Sequence, residues 1–178
     1  MLLIYTHQVT NRIRYTFNVI FKYVLGIDYE LTTSTDSFKQ LEGAKISYTH
    51  TPIGNELFFE SGDLLFETGT SPLTPLLGER GIEHLKDIFV LSFFLLTRYE
   101  EYIPFTGDKY GRFSAKQSFA YKNNLLEKPV VNIWAKEIKE MISGRYPNFQ
   151  FPEKNIPTHQ PLILTMHTPI LEKVFIEP

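Results

Sequence analysis

The chain has 178 residues, of which 43% are hydrophobic and 21% charged, with 15 Phe and 10 Tyr. That is the composition of one folded domain with an aromatic core, and it excludes a disordered chain. A formal net charge of −2 gives no global attraction to nucleic acid, and the absence of cysteine removes disulfides, thiolate metal sites and a cysteine nucleophile.

The N-terminal stretch MLLIYTHQVTNRIRYTFNVIF is apolar, but Arg12 and Arg14 interrupt it and no small-residue cleavage site follows. It reads as mature protein, not as a signal peptide. Leu2 to Tyr5 predicts a strand, and THQVTN a turn whose Thr10 or Asn11 caps a helix. Ile13, Phe17, Ile20, Phe21 and Val24 then fall on one helical stripe, with Arg12, Asn18 and Lys22 off it, and Gly26 supplies the left-handed stop. The alternation in IDYELTT predicts a returning strand, which makes an opening β-α-β unit with parallel strands and a right-handed crossover. A helical turn over 36–41 and a third strand in AKISYTH follow. ELFFE and LLFE flank Ser61-Gly62-Asp63, the spacing of a bulged hairpin.

Residues 68–81, with three Gly and two Pro, predict a loop. From Ile82 to Tyr102 the chain predicts a helix apolar around most of its girth and therefore covered on more than one side, ended by Pro104. Its longest charge-free apolar run, Ile88 to Thr97, is about half of the roughly 20 residues that span a bilayer. The expectation is a cytoplasmic chain without membrane insertion. Pro129 opens a last helix whose inward face is Val130, Trp134, Ile138, Met141 and Ile142, with Gly144 as its stop. The expected fold is a single α/β domain over 1–155, a mixed sheet of about five strands with helices packed on it. Residues 156–178 are expected to form a C-terminal tail.

RYEEYIPFTGDKYGRF, residues 98–113, is the segment richest in chemistry. On a helix, Arg98, Glu101 and Tyr102 are neighbours, while Tyr99 and Glu100 point elsewhere. Lys109 and Arg112 from the following loop are expected to fold back onto Glu100 and Glu101, giving an ion-pair cluster walled by Tyr99, Tyr102, Tyr110 and Phe113. As a ligand pocket it would stack a sugar on aromatic faces and bind a carboxylate or phosphate through Arg or Lys; otherwise the same charges fix the exit of a buried helix.

Other chemistry has less support. Adjacent glutamates diverge on a helix and so make a poor acid/base pair. His7, His50, His84, His159 and His167 include no i, i+4 pair and no HExxH, so no metal and no cofactor is expected. His7 and His50, near strand ends, read as surface or hydrogen-bonded histidines. No GxGxxG, Walker lysine or GxSxG occurs, although Thr10 with Arg12 offers an anion a place at the first helix.

The opening LLIYTHQVTNRIRYTFNVIFKYVLGIDYELTT and the stretch FVLSFFLLTRYEEYIPFTGDKYGRFSAKQSFAYKNNLLEKPVVNIWA are similar to the uncharacterised domain found N-terminal to polysaccharide deacetylase domains in bacterial proteins. The resemblance covers residues 1–155, and RYEEY with DKYGRF is its most specific part. In such proteins a Thr-x-Asp-x-Asp strand comes next and begins the metal and base site. Here the matching positions are Thr158, His159, Gln160, Pro161 and Leu162, without either acid. What the resemblance implies is an accessory, non-catalytic domain that binds a carbohydrate or packs against a deacetylase domain. The rivals are a small hydrolase or transferase using Glu100 or Glu101 with Arg98, and a purely structural interaction domain. Arg98, Tyr99, Glu100, Glu101, Tyr102, Lys109, Tyr110 and Arg112 are the candidate ligand-binding residues; neither nucleic acid nor a membrane is an expected partner.

Overall fold

The computed structural model describes residues 1–70 and 87–152. Its centre is a sheet of four parallel strands in the order β2-β1-β3-β4: β1 is Leu2–Thr6, β2 Tyr29–Thr32, β3 Lys45–Thr49 and β4 Leu57–Glu60. The α/β class and the opening β-α-β unit stand as read. The sheet differs from the expected mixed one of about five strands in being wholly parallel among the described residues.

Helix α1, Asn11–Phe17, begins at Thr10, whose hydroxyl accepts from the Ile13 amide, and continues as a π-helical stretch over Asn18–Val24. Gly26 stops it at φ 71°, as the sequence indicates. Helix α2, Thr35–Gln40, lies on the other side of the sheet. Strand alternation makes the division: Leu2, Ile4, Ile46 and Tyr48 join α1 in the main core, and Leu3 and Tyr5 meet Phe38 of α2 on the reverse face. Central β1 is buried along its whole length.

Residues 61–67 overturn the hairpin. β4 runs parallel to β3, reached through residues 50–56 instead of the roughly dozen-residue helical crossover usual for parallel neighbours. Ile53 packs this connection against the α2 face. LLFE then enters a 3-10 turn, Asp63–Leu65, because Leu64 and Leu65 find a fully buried place in the core and need no strand partner.

Among the described residues the central apolar helix is shorter than read. α3 runs Ile88–Leu96, and residues 82–86 of the expected helix lie outside the described part. Asp87 caps it: Oδ1 accepts from the Phe89 and Val90 amides at 2.9 and 3.0 Å, Oδ2 from the Tyr48 hydroxyl and Gly62 amide at 2.6 and 2.7 Å. Burial raises the pKa of this carboxyl and the four donors oppose that rise. Covered on several sides, α3 buries Phe89, Val90, Leu91, Phe93, Phe94 and Leu96. It ends at Thr97, and Arg98 takes a left-handed conformation, φ 51°. A short α4, Phe119–Lys122, precedes α5, Val130–Arg145. Gly144 lies inside α5 and is not its stop. Of the expected inward face Ile138 and Ile142 are buried, joined by Ala135, while Val130 and Trp134 are half-buried and Met141 is exposed.

Candidate functional site

The left-handed turn at Arg98 divides the 98–113 segment. Tyr99–Glu101 form a separate 3-10 turn, so Arg98, Glu101 and Tyr102 do not share one α-helical face. Arg98 still pairs with Glu101, on a side chain that is largely in water. Tyr99 is fully buried against Phe93 and Phe94. Glu100 turns inward and accepts from the Phe119 amide at 2.7 Å, at the start of α4; burial raises its pKa. Tyr102 is exposed.

The expected folding back of Lys109 and Arg112 onto Glu100 and Glu101 is not what forms. Asp108 is the closer acid and takes Arg112: Oδ2 meets its guanidinium at 3.0 Å, while Oδ1 accepts from the Tyr110 and Arg112 amides at 2.8 and 3.0 Å. These bonds hold the Asp108 carboxyl below its ordinary pKa. A bridge between Gly107 and Phe113 closes the loop. Tyr110 stands outside, 66% exposed, with Lys109 Nζ at 4.8 Å and Arg112 Cζ at 4.7 Å from its ring centre. Phe105 packs edge-on against Phe113 at 5.2 Å. The eight predicted residues therefore fall apart: an inward anchor of buried Tyr99 and half-buried Glu100, an ion pair of exposed Arg98 with half-buried Glu101, an exposed Tyr102, and a closed loop carrying Lys109, Tyr110 and Arg112.

The anion place at the first helix is also revised. Arg12 does not turn outward; it is buried, with Nη1 donating to the Leu64 carbonyl at 2.7 Å and Nη2 to that of Gly69. Thr10, besides capping, donates to the Leu65 carbonyl.

A second cluster escaped the sequence reading. β1 sends its chain toward α1 on one face, and β3 sends its chain toward Ile53 on the other, so between these neighbours the connections part at their carboxyl ends. That is the position where open parallel sheets leave a crevice. His7 follows β1 and His50 follows β3; their rings stack with centres 5.6 Å apart and planes at 29°. Asp63, just after β4, lies 3.5 Å from His50 Nε2, and Phe66 packs on His7 at 4.0 Å. Desolvation, then the neighbouring His50, lowers the His7 pKa, against an opposing pull from Asp63. Spacing along the chain gave no hint of the pair, because only the parallel pairing of β1 with β3 joins residues so far apart. Among the described residues no cluster has the geometry to hold a metal ion.

The sequence pattern of a family of unknown function, DUF7033, matches residues 2–147. The chain belongs to this family. The match runs from the first strand through α5, so the loop around Tyr110 and the crevice with His7 and His50 both lie within family sequence. No curated protein and no solved structure matches the chain. Among the described residues no helix is long and apolar enough to cross a membrane.

Proposed function

We propose that this domain is a non-catalytic accessory module of a polysaccharide-deacetylase-like system, binding a carbohydrate chain through the loop 105–113. The observation that carries the reading is Tyr110, held in water with an ammonium and a guanidinium against its ring on a loop braced by the Asp108 carboxylate. Such a loop is preorganised and pays little ordering cost on binding. A ring with an ammonium and a guanidinium against it suits a sugar bearing a carboxylate, which the two cations can bind. The resemblance of RYEEY and DKYGRF to domains preceding deacetylases supports the setting.

The hydrolase reading loses support because the two glutamates serve different partners, Glu100 the Phe119 amide and Glu101 the Arg98 guanidinium. The test is titration of the chain with an oligogalacturonate and with a neutral N-acetylglucosamine oligomer, followed by heteronuclear NMR. Tyr110→Ala and Arg112→Ala should each weaken binding about tenfold or more, the loss of one well-placed contact of about 1.4 kcal/mol, with an unchanged melting temperature. Binding unaltered in both variants, or no binding of either oligomer, sinks the carbohydrate reading. Capture of a deacetylase domain, lost in the same variants, would move the role to domain packing.

A further inference from the structure

We propose that His7 and His50, at the carboxyl ends of β1 and β3, form a proton-linked binding site for a small ligand bearing an oxyanion, a phosphate or a carboxylate. The site is independent of the loop around Tyr110. It rests on three observations. The imidazoles stack at 5.6 Å where the connections of a parallel sheet part, the place such folds use for ligands. Both rings reach solvent, so a ligand needs no opening of the core. Asp63 approaches His50 Nε2 at 3.5 Å, which places a carboxylate beside the pair.

Charge decides what the pair accepts. The charged groups bearing on His7 are His50, from the end of β3, and Asp63, from the turn after β4; Phe66 on the same turn is neutral. On the α1 side, the Arg12 guanidinium points away, into the carbonyls of Leu64 and Gly69. With both histidines neutral, Asp63 leaves the site negative and an anion is repelled. With both protonated it is positive, but two stacked cations repel one another. A bound oxyanion sits against both imidazolium groups and offsets that repulsion, so binding and proton uptake reinforce each other. Phosphate and carboxylate share this chemistry.

The experiment follows the imidazole resonances of the 178-residue chain from acid to neutral pH, alone and with inorganic phosphate or acetate, assigned with His7→Gln and His50→Gln. The His7 midpoint should rise with phosphate. Once the titration of the anion itself is subtracted, affinity for phosphate should grow as pH falls, by up to about tenfold per pH unit for each proton the histidines take up. His50→Gln, without ligand, should raise the His7 midpoint by removing its charged neighbour, and either substitution should abolish the proton-linked part of binding. A response to phosphate alone points to a phosphorylated ligand, and a response to acetate as well to a carboxylate such as a uronic acid. No movement of His7 with either anion, an equal movement of all five histidines, or unchanged binding in the folded His7→Gln chain overturns the proposal.

Discussion

Arg12 carries a full charge into the core, and three elements meet on it. Its guanidinium bonds the carbonyls of Leu64 and Gly69 and lies 5.4 Å and 5.5 Å from the ring centres of Phe93 and Tyr99. A delocalised planar cation suits this place, because it can donate in its plane while its faces rest on aromatic rings. Arg12→Met keeps the apolar stem but strands the buried Leu64 carbonyl, while that of exposed Gly69 can turn to water, at a cost of roughly 1–3 kcal/mol. Urea unfolding measures this directly. A loss below about 1 kcal/mol would show that the 64–69 segment is held by other contacts. Arg12→Lys should recover only part, since one ammonium cannot reproduce the fork.

At the scale of elements, the loop 105–113 is organised by one acid. Asp108 joins the Tyr110 and Arg112 amides and the Arg112 side chain, and its pKa lies below the ordinary 3.8. Because the folded value is depressed, the stabilisation that Asp108 gives the loop is present above the unfolded pKa and lost as pH falls through the folded one. Amide resonances of Tyr110 and Arg112 should therefore hold steady from neutral pH to about 4 and move below it. In Asp108→Asn this acid transition should vanish; its persistence would assign the titration to another group. The same elements show what could be read in the sequence. The β1-α1-β2 unit was legible, since stripe, cap and glycine stop agree. The Ser61-Gly62-Asp63 turn misled, because two leucines in a core-facing turn look like the start of a strand until tertiary contacts are known. Arg98 also misled. The left-handed position that ends α3 is usually marked by Gly or Asn, and here a long cation fills it. The histidine pair could not be read at all, as strand order is a property of the whole sheet.

The whole molecule is tied together at Phe89. Its ring lies 4.8 Å from Phe17 in α1, 5.2 Å from Tyr48 in β3 and 5.3 Å from Phe59 in β4, with Phe21 at 5.8 Å. All four pairs meet edge-on or tilted, and none is a face-to-face sandwich, which ring quadrupoles disfavour. One residue next to the buried cap Asp87 thus couples the first helix, two strands and α3. Phe89→Ala removes a large ring from a fully packed place and should cost about 3–5 kcal/mol, because the strands around it cannot collapse into the space. If these elements form one cooperative unit, fluorescence of Trp134 on α5 and far-ultraviolet dichroism should move to lower urea together, with the transition still single. Hydrogen exchange gives the spatial counterpart. Amides of central β1 and β3 should open only with global unfolding and lose protection by the full amount of the destabilisation. Those of edge strands β2 and β4 open locally and should change less. Two separated unfolding transitions, or central amides that keep their protection in Phe89→Ala, would mean that α3 and the sheet fold as distinct units.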